Sequence, residues 1–264
     1  MRDLNSLPDL ELALIQTTLA WQDAQANRER FVALLDDARG ADLIILPEMF
    51  TTAFSMNAAE LAEPEEGPTY AWLREQAARL DAVITGSVII QAADGTHRNR
   101  LLWARPNGEI AHYDKRHLFR MAGEHEHYTA GTERVLFELN GWHVRPLICY
   151  DLRFPVWSRD AHDTDLLLYT ANWPAARRSA WNRLLPARAI ENLCFVAAVN
   201  RVGEDGKGYP YSGDSQVLDY LGDPLLEAGD ADGVFRVTLR ARDLAKFRGK
   251  FPAYHDGDAF ELKP

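Results

Sequence analysis

The sequence predicts an α/β fold in which helices pack outside mixed β-sheets. Two observations predict it. Apolar, strand-like runs alternate with amphipathic, helix-like segments along the chain, and the connections include turn chemistry suited to antiparallel hairpins. With 264 residues, 47% hydrophobic and 26% charged, the chain should bury a sizeable core as a soluble globule. No internal repeat, low-complexity tract or linker divides it, so the expectation is one domain over residues 1–264.

The elements follow in order. "LELALIQTTL" (10–19) reads as a strand, and 23–39, with Phe31, Leu34 and Leu35 among charges, as an amphipathic helix. "ADLIILPE" (41–48) is a buried strand stopped by Pro47, and "YAWLREQAARLDA" (70–82) a helix with Leu73, Ala77 and Leu80 on one face. Strands follow near 83–91, 98–105 and 109–114, where "PNG" at 106–108 supplies a hairpin turn. Residues 134–149 form a second hairpin turning at "NGW" (140–142), and a short helix starts near Pro155, a residue suited to a first helical turn. Beyond it lie a strand at 165–172, a helix at 175–193, a strand at 194–202, further strands within 213–239 and a last helix at 240–249.

Composition narrows the function. A net charge of −10 argues against nucleic acid and anionic membranes as partners, because both need a basic face. An anionic substrate would need a local cation to capture it. No run of 18 apolar residues suggests a membrane span, and the start lacks the pattern of a signal peptide. With only Cys149 and Cys194 present, a reduced, cytoplasmic chain is expected rather than a disulfide framework.

Three strand-like runs end on reactive side chains: "LIILPEMF" on Glu48, "IAHYDKRHLF" on Lys115 and "RPLICYDLRFP" on Cys149. Positions just past strand ends are common sites in α/β folds. Taken singly, the thiol reads as a small buried hydrophobe, the glutamate as a loop residue and the lysine as part of a charged turn. Together they make chemical sense, since a thiol must lose its proton to attack, and a nearby base and cation both assist.

The ordered set resembles the carbon–nitrogen hydrolase family, or nitrilase superfamily, whose members use Glu, Lys and Cys in that chain order. The resemblance runs from about residue 10 to 250, through "LPEMF", "YDKRHLF", "LICYDLRFP", "ANWP" (171–174) and "RAIENLCFVAAVNRVG" (188–203). "CYDLRFP" is similar to the amidase branch, where true nitrilases carry Trp-Glu after the cysteine; "LPEMFTTAFSMNA" with "GEHEHYTAG" is similar to bacterial ω-amidases. The stretch "RMAGEHEHY" departs from much of the wider family.

The resemblance implies an αββα four-layer sandwich of two mixed sheets, and a homodimer formed through helices near the site. It implies that Glu48 is the general base, that Cys149 is the nucleophile, and that Lys115 and the backbone N–H of Tyr150 stabilise the oxyanion. It also implies an auxiliary glutamate seven residues before a glycine. Counting back from Gly131 gives Glu124, with Glu126 as the competing placement. No metal or organic cofactor has a step in this scheme. The implied substrate is the ω-amide of a short 2-oxo dicarboxylic acid. An N-carbamoyl amino acid, another aliphatic amide or a nitrile are rival substrates, and a binding protein without turnover is the rival class.

Other residues have competing readings. His117, Glu124, His125, Glu126 and His127 invite a zinc site, but "EHEH" is not H-E-x-x-H, and a surface loop or pocket rim is the better reading. Cys194, opening the apolar "CFVAAVN", reads as core. Phe50, Tyr128 and Trp173 sit beside motif residues as candidate pocket walls, or as core. Arg177, Arg178 and Arg153 are candidates to hold a substrate carboxylate, for which a guanidinium fork is well matched; otherwise they are solvated, or Arg153 pairs with Asp151.

Overall fold

A computed structural model describes residues 4–159, 163–258 and 260–262. Two mixed sheets lie face to face. In the first, the path runs Gly233–Leu239, Leu10–Gln16, Leu43–Ile45, Val83–Gln91, His97–Ala104, Ile110–Asp114, and the two-residue strand Glu63–Pro64 joins Val83–Gln91 off that path. Its three central strands pair in parallel and its outer neighbours antiparallel. In the second, the order is Pro224–Glu227, Gln216–Leu218, Phe195–Asn200, Leu166–Ala171, Trp142–Ile148, Phe137–Leu139, again with three parallel strands at the centre.

Side-chain alternation explains the layers. Along Leu10–Gln16, Leu10, Leu12 and Leu14 point into the core between the sheets, in one cluster with Val144, Leu168 and Val199 of the second sheet. Ala13 and Ile15 point the other way, into a second cluster with Phe31 and Leu35 of helix Ala24–Asp37 and Leu73, Ala77 and Leu80 of helix Pro68–Leu80. Helices Arg178–Asn192 and Ala241–Lys250 bury Trp181, Leu185, Ala189 and Leu244 on the second sheet. The order is helix, sheet, sheet, helix. Among the described residues no helix is long and apolar enough to cross a membrane.

Local signals place the ends of elements. Asp23 caps the first helix by accepting the Ala26 N–H at 2.9 Å, and Pro68 opens the second. Asn140 and Gly141 both take positive φ, 51° and 84°, as a two-residue hairpin turn requires. Three short elements went unread in the sequence: helix Ala58–Leu61, the helical turn Glu124–His127, and the hairpin Val202–Glu204 with Pro210–Ser212. "GEDGKG" (203–208) covers the end of strand Val202–Glu204 and the turn that leads to Pro210–Ser212.

Two glycines hold the framework around the strand ends. A Cβ on Gly131 would lie 2.2 Å from the Asp114 carbonyl oxygen, and one on Gly86 would lie 2.8 Å from the Leu46 Cβ. Both neighbours are close to the backbone, so neither can swing aside. Gly131→Ala should lower stability by about 1–3 kcal/mol, as overpacking does, read as a lower urea midpoint at unchanged slope. A midpoint equal to wild type would show that the Asp114 strand yields freely.

Candidate active site

Glu48, Lys115 and Cys149 stand just past the carboxyl ends of Leu43–Ile45, Ile110–Asp114 and Trp142–Ile148. Pro47 cannot continue a ladder, and Met49 then turns with φ 43°, while Ser87 takes the Met49 N–H on its hydroxyl at 2.8 Å and the Phe50 N–H on its carbonyl at 3.0 Å. Lys115 stays in line with its strand: its N–H reaches the Asn99 carbonyl at 2.9 Å, and its carbonyl accepts the Gly131 N–H at 2.9 Å. Cys149 also takes a positive φ, 43°, and opens the 3-10 turn Cys149–Arg153. A non-glycine residue holds that conformation only when its surroundings impose it.

The three charged side chains Glu48, Lys115 and Glu124 are buried to within 1%. Lys115 Nζ donates to Glu48 Oε1 at 2.8 Å and to both oxygens of Glu124 at 3.0 Å. Asn99 Nδ2 bridges the carboxylates, 2.8 Å from Glu48 and 3.2 Å from Glu124. Glu48 Oε2 accepts the Asn172 backbone N–H at 2.8 Å, and Asn172 Nδ2 donates to the Glu48 carbonyl. Glu124 accepts the Phe119 N–H at 2.5 Å. Every oxygen of the two carboxylates is thus engaged, which makes buried charge tolerable.

Burial acts against the Lys115 ammonium, but Glu124 and Glu48 outweigh it and raise its pKa, so the cation persists at working pH. Burial and the Glu48 charge push the Cys149 thiol well above its ordinary range, with Lys115 only partly opposing them. The resting sulfur is a neutral thiol beside the Glu48 charge and 3.9 Å from the Asn172 carbonyl oxygen. A carboxylate poised against a protonated thiol can remove the proton during attack.

These groups open onto a cavity of about 370 Å³, within the roughly 300–1,000 Å³ range of small-molecule sites. Cys149, Lys115, Asn172 and Tyr150 line it, with Phe54, Phe119, Trp173 and Tyr211 as aromatic walls. Arg153, Arg177 and Lys207 supply cations. Arg153 lies 5.1 Å over the Trp173 ring and Arg177 5.1 Å over that of Phe119, and among the described residues no carboxylate pairs with either. Asp151 does not pair with Arg153; its oxygens serve Ile148, Tyr113 and His117 instead.

Several sequence expectations require correction. Phe50 is fully buried against Phe31, ring centroids 5.5 Å apart, and is core. Tyr128 packs with Met49 and Ile89, and its hydroxyl donates to the Ser55 carbonyl at 2.5 Å, so it is not a pocket wall. Arg178 turns from the cavity and forks onto Asp214 at 2.6 and 2.8 Å, one residue along from Arg177 and on another side of the helix start. Of the two candidate auxiliary glutamates, the turn Glu124–His127 buries Glu124, the one seven residues before Gly131, and leaves Glu126 exposed. His125 and His127 are exposed too, and no group of three or more metal-binding side chains occurs among the described residues. Cys194 is core, its thiol pushed up to about 12 by burial. Sequence reasoning missed Asn99, Asn172, Phe54, Phe119 and Lys207; the "ANWP" match was the one signal that pointed at Asn172.

Residues 11–248 match the family described as carbon–nitrogen hydrolase. The chain is 52% identical over 254 residues to the omega-amidase YafV of Yersinia enterocolitica, covering 96% of this chain and 98% of that one. It is 35% identical to the 2-oxoglutaramate amidase of Bacillus subtilis, covering 83% and 86% respectively. The solved structure of XC1258 from Xanthomonas campestris, a CN-hydrolase superfamily protein with an arsenic adduct in its active site, superposes with a TM-score of 0.95 at 51% identity, covering 97% of this chain and 100% of that one.

A raised thiol pKa means the proton is held below it and lost only above it. The ultraviolet thiolate absorbance of the protein minus that of Cys149→Ala should therefore show no step below about pH 9. A step near neutral pH would mean a preformed thiolate and would remove the need for Glu48 as proton acceptor.

Proposed function

The chain belongs to the carbon–nitrogen hydrolase family, and on that premise we propose that it is a cysteine-dependent ω-amidase. It hydrolyses the terminal amide of short 2-oxo dicarboxylic acid monoamides, 2-oxoglutaramate and 2-oxosuccinamate, to the diacid and ammonia. One observation carries this reading: a thiol over a buried carboxylate–ammonium cluster faces a cavity whose guanidinium groups have no carboxylate partner among the described residues. The names of the Yersinia and Bacillus relatives support the same choice.

The chemistry follows from the contacts. The substrate's acid end binds Arg153 and Arg177, a geometry that suits a planar fork. Glu48 takes the thiol proton as sulfur bonds to the amide carbon. The negative charge moves from the Glu48 carboxylate to the oxyanion, which Lys115 and the Tyr150 N–H stabilise. Tyr150 is the second residue of a helical turn, where an N–H has no intrahelical acceptor. Protonated Glu48 then passes its proton to the amide nitrogen, the C–N bond breaks and ammonia leaves. Water attacks the thioester while Glu48 accepts its proton, the C–S bond breaks, and the proton returns to sulfur. Glu124 holds Lys115 charged and in place rather than exchanging protons with substrate.

A thiol that must stay reduced suits the cytoplasm. Exposed Val156, 50% accessible on helix Pro155–Ser158 just past the turn Cys149–Arg153, supports pairing of two copies beside the site.

Cys149→Ala should abolish hydrolysis while the far-ultraviolet circular dichroism and unfolding midpoint stay near wild type; full residual turnover would end the nucleophile assignment. Arg153→Ala and Arg177→Ala should each raise KM for 2-oxoglutaramate by roughly 10- to 100-fold, whereas Arg178→Ala should not. Assays on amides, N-carbamoyl amino acids and nitriles side by side test the substrate class, and a nitrile preferred over every amide would overturn it. Thiol reagents should inactivate the enzyme and chelators should not.

A further inference from the structure

We propose that Asp151 is a positioning residue that sets the Cys149 thiol against the Lys115 ammonium by clamping the two loops that carry them. What the thiol does rests on the amidase reading; where it is held does not. Asp151 is fully buried, and its two oxygens take four hydrogen bonds. Oδ2 accepts the Ile148 N–H at 3.0 Å and the Tyr113 hydroxyl at 2.7 Å. Oδ1 accepts the His117 N–H at 3.0 Å and lies 2.8 Å from His117 Nδ1. A carboxylate can only accept, so Nδ1 carries the proton.

The placement of these donors is what points to the role. Ile148 immediately precedes Cys149, and Tyr113 and His117 stand two residues before and after Lys115. One carboxylate therefore joins the nucleophile's loop, at the end of the second sheet, to the ammonium's loop, at the edge of the first. The bond from residue 151 back to residue 148 spans Cys149 itself and braces its left-handed backbone. The other partners are held in turn. The His117 ring stacks on Phe154 at 3.7 Å and 6°, and the Tyr113 oxygen accepts the Trp157 Nε1–H at 2.9 Å, which directs its own proton toward Asp151. An amide in place of the carboxylate would keep the volume but turn an N–H toward donors on one side.

The test compares Asp151→Asn, His117→Ala and His117→Asn with wild type. Turnover of 2-oxoglutaramate gives kcat and KM, and iodoacetamide alkylation of Cys149 reports thiol presentation without any substrate. Asp151→Asn should lower kcat by about 100-fold with KM within about threefold, because misplacement costs the transition state and not ground-state binding. Its alkylation should slow by about tenfold. His117→Ala should lose about tenfold in kcat, and His117→Asn, whose amide N–H stands in for Nδ1–H, should recover to within about threefold of wild type. A folded Asp151→Asn with wild-type kcat and alkylation would overturn the clamp. If that variant does not fold, His117→Asn proving no better than His117→Ala would overturn it. Failure of wild type to hydrolyse 2-oxoglutaramate would instead sink the amidase reading, with the alkylation arm still deciding the clamp.

Discussion

Lys115 carries its charge to a place water does not reach, with Glu48 at 2.8 Å on one side and Glu124 at 3.0 Å on the other. Taking such ions out of water costs several kcal/mol each, of order, and mutual attraction offsets that cost only with good geometry and further hydrogen bonds. The neighbourhood supplies them. Asn99 bridges the two acids, Phe119 and Asn172 give backbone N–H groups, and no carboxylate oxygen is left over. Burial and the Glu48 charge keep the adjacent sulfur protonated. In the proposed attack no new negative charge need be created; it moves from a carboxylate to an oxyanion beside the same ammonium. Little of the surroundings must reorganise, which is the condition under which fixed dipoles and charges are most effective.

That cluster depends on parts drawn from both sheets. Glu48, Asn99 and Lys115 come from the first, Cys149 and Asn172 from the second, and Glu124 from a single helical turn between them. Asn172 is the tightest link in the other direction, since it donates twice to Glu48 while its own carbonyl lies beside the sulfur. The cavity lining, with Asp205 among its cations, holds more basic than acidic side chains, unlike the whole protein. A chain with net charge −10 presents Arg153, Arg177 and Lys207 where an anion would enter, so attraction is local and repulsion general.

The sheets were legible because they follow from periodicity: Leu12 and Leu14 alternate with Ala13 and Ile15, and Asn140-Gly141 is a hairpin turn in any context. The short strands Val202–Glu204 and Pro210–Ser212 were not, since three residues carry no period, and with them went Lys207 and Tyr211. The positions of Glu48, Lys115 and Cys149 past strand ends could be read, because each motif ends an apolar run. Directions could not. Phe50 and Phe54 lie four residues apart, yet one is core and the other a wall; Arg177 and Arg178 are adjacent, yet one faces the cavity and the other Asp214. Glu124 and Glu126 differ in burial only because a one-turn helix puts them on different sides. Asp151 looked like a partner for Arg153, and only the approach of a distant strand reveals the tyrosine and histidine that claim it.

The division of the centre between two sheets has a consequence for how the molecule fails. Neither sheet alone brings a base, a cation and a sulfur together, so any opening along the seam between them disperses all three at once. Heat or denaturant should then remove activity in step with global unfolding, with no surviving half-competent species. A chain still emerging from synthesis, lacking its second sheet, likewise has a carboxylate and an amine but nothing to attack with. Reactivity is switched on by completing the fold.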